Sequence, residues 1–201
     1  TSLVHPARKS LTGQRLADAI LYNMYGFEEY KDALAPKVTK VEANGNKLTT
    51  GFVGTGYLNI TLSAVGLSNE AYSLLLQTKD PSWLYSVRQG ATTIWERWNS
   101  YTLDKGFGDV GMNSFNHYAY GACAAWFYRT ILGVMPTAPT YKSFEIKPIP
   151  SERLGFAKAR IETRSGIIRS EWRYEQGGVR YSFSIPEGTT AKVTIDGTTK
   201  T

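Results

Sequence analysis

The apolar residues of this chain change period once, near Pro139, and that change limits the chain to a helical part followed by a sheet. Beyond it, Phe144, Ile146 and Ile149 alternate with polar residues. So do Ala157, Ala159 and Ile161; Ile168, Ser170 and Trp172; and Val179, Tyr181, Phe183 and Ile185. Period-2 alternation predicts antiparallel strands with one face buried. Gln176-Gly177-Gly178 joins two of these runs as a hairpin turn, and Val193 and Ile195 lead into Asp196-Gly197. Pro148, Pro150 and Pro186 mark strand ends.

Before Pro139 the spacing is helical. Thr12 caps a segment whose apolar face holds Leu16, Ala19, Ile20 and Met24, with Gly26 as a stop. A second helix is expected over residues 28–43, with Pro36 inside it, and a third apolar segment over 57–65, ended by Gly66. Short helices follow over 68–76 and 82–89. Residues 115–132 predict a long, almost wholly apolar helix, closed by Gly133 and Pro136 and buried on most sides. Glycine-bearing loops over 50–56 and 104–109 separate these segments. The resulting expectation is an α+β chain in two parts, helical over 1–140 and β-sandwich-like over 141–201, with few strands for a sandwich.

Composition narrows the function. The net charge of +6 divides into +2 over residues 1–140 and +4 over 141–201, and neither part holds a Lys/Arg run. That dispersal argues against a nucleic-acid stripe. Cys123 is the only cysteine, which excludes an internal disulfide and a cysteine-based zinc site. No stretch reaches the ~18 apolar residues of a membrane span. The chain opens on Thr1-Ser2-Leu3-Val4-His5-Pro6 without Met, which reads as part of a longer translation product.

Two dense blocks carry the chemistry. Gly90 to Trp98 sets Glu96 between Trp95 and Trp98, beside Arg97; Met112 to Gly121 adds Asn113, Asn116, His117, Tyr118 and Tyr120. Aromatic faces stack on the apolar side of a pyranose, and acids, amides and imidazole bind its hydroxyls, so this inventory suits a sugar pocket. The plainer readings are a Glu96 ion pair with Arg97 or Arg88, a packed core histidine at 117, and a helix cap at Asn113 or Ser114. One of Trp83, Trp95 and Trp98 is expected to face the pocket and the others to pack between helices, while Trp126 and Trp172 read as core. The Gly51-to-Gly56 stretch lacks the lysine and spacing of a phosphate loop. No ligand set for a metal is evident, and no cofactor is implied.

At Thr49 to Thr55, Pro81-Ser82-Trp83, Gly90 to Trp98 and Met112 to Gly121 the chain resembles the C-terminal half of bacterial α-L-rhamnosidases of glycoside hydrolase family 78. Tyr141 to Pro148 resembles the strand that opens that family's C-terminal β-domain. The resemblance implies a partial (α/α)6 toroid followed by an antiparallel β-sandwich, and inverting hydrolysis of a terminal α-L-rhamnoside. It implies Glu96 as general base and His117 in the rhamnose site, 21 positions apart as in the family pattern. Asn116, Trp95 and Trp98 join them as candidate sugar-binding residues, and all of these are expected around one cavity. Gly51 to Gly56 would shape the barrel floor. Departures are equally specific. Nothing in residues 1–95 matches the family's acid-rich general-acid motif; Ala125 stands where an acid is usual, and Gly56 where proline is common. The expected partners are therefore terminal L-rhamnose and either the missing N-terminal half of a parent enzyme or a second copy. The alternatives are a non-catalytic carbohydrate-binding fragment and a toroid hydrolase or lyase acting on another sugar. Asp104 and Asp109 are the next acids to weigh.

Overall fold

The computed structural model describes residues 51–201; the helices expected within 12–43 lie outside the described residues. The first described helix, α1, spans Phe52–Ala64 and takes in most of the glycine stretch expected as a loop. Packing explains the difference. A Cβ on Gly56 would sit 3.0 Å from the Ala122 Cβ, so the missing side chain lets two backbones approach closely. Thr55 is fully buried, and its Oγ1 donates back to the Gly51 carbonyl at 2.9 Å. Gly66, at φ +84°, turns the chain out of α1. Helices α2 (Ser68–Leu76) and α3 (Trp83–Arg88) follow close to their expected positions. The Ser82 hydroxyl caps α3 by accepting the Tyr85 N–H at 3.1 Å.

The helix expected over 115–132 starts later and is less regular. Residues 114–117 are irregular and bonded to residues 93–96, and helical turns begin only at Tyr118. They form α4, a 3-10 turn Tyr120–Cys123, an α turn Ala124–Trp126 and a π stretch Phe127–Ile131. Nor is α4 buried on most sides. Tyr120, Cys123, Trp126 and Ile131 are buried, whereas Ala124, Ala125, Tyr128 and Arg129 are exposed. That spacing of three to five residues is one apolar stripe on a single face.

The stretch expected as a loop over 104–109 closes a small hairpin, β1 (Tyr101–Thr102) with β2 (Gly106–Phe107). Seven further strands build two sheets: β3 (Val134–Pro136), β4 (Ser143–Ile146), β5 (Phe156–Thr163), β6 (Gly166–Glu175), β7 (Gly178–Ser184), β8 (Thr190–Ile195) and β9 (Thr198–Lys200). Their orders are β3-β4-β8-β9 and β5-β6-β7. All pairings are antiparallel except β4–β8, which are joined through the other sheet and so have chain enough for a parallel crossover. The short β3 and β9 lie beyond what the alternation predicts.

The inner face of β5–β7 serves two cores. Ile168, with Ile161 and Phe183, packs on Val134, Phe144, Ile146 and Ala191 of the other sheet. Trp172, with Ala157, Val179 and Tyr181, packs on Leu62, Ala71, Tyr72 and Trp126 of the helices. Trp126 and Trp172 are both fully buried, as their sequence positions predict. Burying one indole is worth roughly 4–6 kcal/mol in area removed from water. Strand β6 also closes α4. The Trp172 Nε1–H donates to the Ile131 carbonyl at 2.7 Å, and the Ser170 hydroxyl to the Leu132 carbonyl at 2.8 Å. These carbonyls at a helix end have no partner within the helix.

Candidate active site

The two dense blocks meet because one runs alongside the other. After α3, Gly90 at φ +91° and a bond from Ala91 N–H to the Ser86 carbonyl bring the chain back. Residues 93–96 then pair with 114–117. His117 N–H donates to Ile94 O, and Glu96 N–H to Ser114 O, both at 2.9 Å. The Thr93 hydroxyl adds a bond to Phe115 O. Gly121 permits the approach, since a Cβ there would lie 3.2 Å from Ile94 Cγ1.

This ladder orients Glu96. The Ser114 N–H donates to Glu96 Oε2 at 2.8 Å, so one carboxylate oxygen is anchored to backbone. Among the described residues Glu96 belongs to no ion pair. Arg97 turns away, with Nη2 donating to the Gly111 carbonyl at 3.2 Å. The ion-pair reading of Glu96 is therefore not what this structure builds.

His117 lies at the other end of the ladder. Its Nδ1 accepts the Ala119 N–H at 3.3 Å. The ring lies parallel to Tyr118, with centroids 5.5 Å apart. His117 and Asn116 line an open cleft of about 650 Å³ with Thr93, Ile94, Tyr118 and Gly121. Glu96 is not among the cleft residues. It stands two positions beyond Ile94, with its carboxylate drawn toward Ser114. Of the residues expected around a single cavity, this cleft takes in His117 and Asn116 and not Glu96.

Trp95 and Trp98 are buried, 6% and 8% exposed. Trp98 stacks on Tyr120 at 3.6 Å and meets Trp83 edge-on at 5.3 Å; Trp95 meets Phe115 edge-on at 5.4 Å. The rings expected to offer a face to sugar are occupied by other rings. They lock the Glu96 segment to the Met112 block, aided by Trp83 Nε1–H on Tyr120 O and the Ser86 hydroxyl on Trp98 O, both at 2.8 Å. Sequence reasoning missed this bracing role of Trp83, Ser86 and Tyr120, because their partners lie up to 37 residues away.

The surrounding groups divide simply. Burial pushes the Cys123 thiol up to about 11 and raises Tyr120, which also feels Asp80. Asn113 and Ser114 cap no helix: Asn113 Nδ2 donates to Ser100 O, and Ser114 Oγ accepts the Asn116 N–H, both at 3.2 Å. Asp109 accepts the Gly111 N–H at 3.0 Å, and exposed Asp104 is lowered by its bond with Thr102. Ala125 lines a second groove with Gly56, Tyr57, Ile60 and Arg129; Tyr118 and Ala122 border both openings. Among the described residues no group of three or more His, Cys, Asp and Glu could hold a metal ion.

Comparison with known proteins places this geometry. Residues 8–131 match the bacterial alpha-L-rhamnosidase 6 hairpin glycosidase domain, and residues 133–201 the bacterial alpha-L-rhamnosidase C-terminal domain. An alpha-L-rhamnosidase of Alteromonas sp. (strain LOR) is 41% identical over 168 residues, 84% of this chain and 18% of the relative. One from Formosa agariphila is 40% identical over 177 residues, 88% of this chain and 19% of the relative. The crystal structure of Streptomyces avermitilis alpha-L-rhamnosidase complexed with L-rhamnose aligns with a TM-score of 0.71 at 36% identity, over 89% of this chain and 18% of that one. Native rhamnosidase from Aspergillus terreus aligns at 0.69 and 34% identity, over 92% and 20%. The chain spans about a fifth of the length of these relatives.

Proposed function

The chain belongs to the bacterial α-L-rhamnosidases of the six-hairpin glycosidase type, and on that basis we propose that Glu96 is the general base of an inverting hydrolysis of terminal α-L-rhamnosides. The observation that carries this is the carboxylate held by Ser114 N–H at 2.8 Å on a segment paired with that of His117. Inversion needs two carboxyls ~6.5–9.5 Å apart. One protonates the leaving oxygen. The other takes a proton from the water that attacks the anomeric carbon from the opposite face. Glu96 fits the second role: Oε2 is anchored, and Oε1 receives the proton of the water. A base fixed by backbone keeps its aim without reorganising during the reaction.

In this reading His117 and Asn116 bind rhamnose hydroxyls in the cleft, while Trp95 and Trp98 hold the base-bearing segment. The general acid comes from a part of the enzyme beyond the fifth of relatives' length that this chain spans, so residues 1–201 alone are inactive. The division into a catalytic part, 1–140, and a β part, 141–201, belongs to the same proposal. Its test is the anomer released first by a full-length enzyme containing this span. Proton NMR during turnover of an aryl α-L-rhamnoside should show β-L-rhamnose appearing before mutarotation. Release of the α anomer would overturn the water-attack role of Glu96.

A further inference from the structure

We propose that the outer face of the β5–β7 sheet is a binding site for an acidic saccharide, a sugar chain bearing carboxylates. Strand register sets two rows across the sheet, Lys158–Glu171–Ser182 and Arg160–Arg169–Ser184. Alternation places all six opposite the buried side of Ile168, Ser170 and Trp172. The six line a shallow concavity of about 360 Å³.

The charge there is only partly neutralised by the protein. Arg160 and Arg169 are directly opposed, an arrangement that like charges disfavour in a sheet. Arg160 is bridged to Glu162, and beyond the concavity Arg180 reaches Glu175 at 3.4 Å and Arg173 lies 4.6 Å over the Phe156 ring. Arg169 closes no ion pair among the described residues, and Lys158 faces Glu171 across the strands without closing one. A guanidinium fork presents two parallel donors that match a carboxylate. Glu171 and the two serine hydroxyls suit the hydroxyls of the same sugar ring. The outer face offers no row of aromatic rings for stacked bases. Charge and register specify the anion; the choice of a saccharide as its carrier rests on the rhamnosidase reading.

Isothermal titration of the 201-residue chain with oligogalacturonate tests this without any catalytic readout. Binding is expected for oligogalacturonate and absent for a neutral maltooligosaccharide, and it weakens between ~50 and ~300 mM NaCl. Arg160→Ala with Arg169→Ala should weaken it by at least about tenfold. Arg173→Ala with Arg180→Ala removes the same charge outside the concavity and should cost under about threefold. No heat with oligogalacturonate on the wild-type chain would overturn the proposal. So would equal loss in both double variants, or tighter binding of duplex DNA than of oligogalacturonate. The wild-type comparison decides the matter even if a variant fails to fold, and its failure leaves the role of Glu96 untouched.

Discussion

Replacing Gly133 by alanine should be among the most damaging single-methyl changes in this chain. Gly133 sits between α4 and β3 at φ +71°, a conformation that costs a Cβ-bearing residue roughly 1–2 kcal/mol. A Cβ there would also lie 2.1 Å from the Lys147 carbonyl carbon and 2.2 Å from the Pro148 nitrogen. Carbons rest at ~3.5 Å or more, so the backbone at 147–148 must withdraw by over about 1 Å. That strand end cannot move alone. Lys147 N–H donates to Gly133 O at 2.9 Å, Ile149 N–H to Thr130 O at 3.0 Å, and Ile146 is fully buried beside them. Losing two backbone bonds, each worth ~0.5–1.5 kcal/mol, with the left-handed strain gives roughly 2–5 kcal/mol in all. Gly155→Ala is the control: its φ is +78°, and nothing lies within 4 Å of the added methyl. It should cost only the strain, ~1–2 kcal/mol. Urea unfolding followed by tryptophan fluorescence measures both. A Gly133→Ala cost within ~1 kcal/mol of the control would refute the close-approach argument.

Ser170→Ala removes the donor to the Leu132 carbonyl and should destabilise by ~1–3 kcal/mol in the same assay; a change under ~0.5 kcal/mol would mean β6 does not cap α4. With its thiol near 11, Cys123 in the native chain should react with iodoacetamide at about pH 8 roughly a hundredfold more slowly than in the unfolded chain, and labelling at equal rates would contradict its burial. The folded thiol keeps its proton up to about 11 and the unfolded one only to about 9.0, so unfolding releases a proton between those values and stability falls as pH rises through them. Cys123→Ala should flatten that fall by on the order of 2–3 kcal/mol; an unchanged slope would count against the raised thiol. Residues 1–201 alone should not hydrolyse an aryl α-L-rhamnoside, and measurable turnover would place the general acid inside this chain.

The sheet was legible because its information is local. Ala157 to Ile161, Ile168 to Trp172 and Val179 to Phe183 alternate along single strands, and one buried face is enough to impose that pattern. Ser170 belongs to the buried row by position although it is polar, because its hydroxyl is spent on Leu132. The helical part was less legible where its causes are distant. Residues 115–117, expected inside the long helix, are held out of it by bonds to Thr93 and Ile94. Gly54 and Gly56 weaken helix propensity and suggest a loop, until the Ala122 contact supplies a reason for a bare backbone. Glu96 and His117 stand out as candidates through their motifs, while the Ser114 bond that orients Glu96 has no signature in either block. Arg160 and Arg169 look like ordinary solvent-facing arginines until register sets them opposite one another.

Glu96→Gln in a full-length enzyme containing this span tests the role of the carboxylate most directly. The amide keeps the size of the side chain and an oxygen for the Ser114 N–H, but it cannot take a proton from water. Steady-state kinetics on an aryl α-L-rhamnoside should show kcat lowered ~10²–10⁴-fold with KM within a small factor. A variant that turns over at the wild-type kcat would contradict the assignment of Glu96 as the general base.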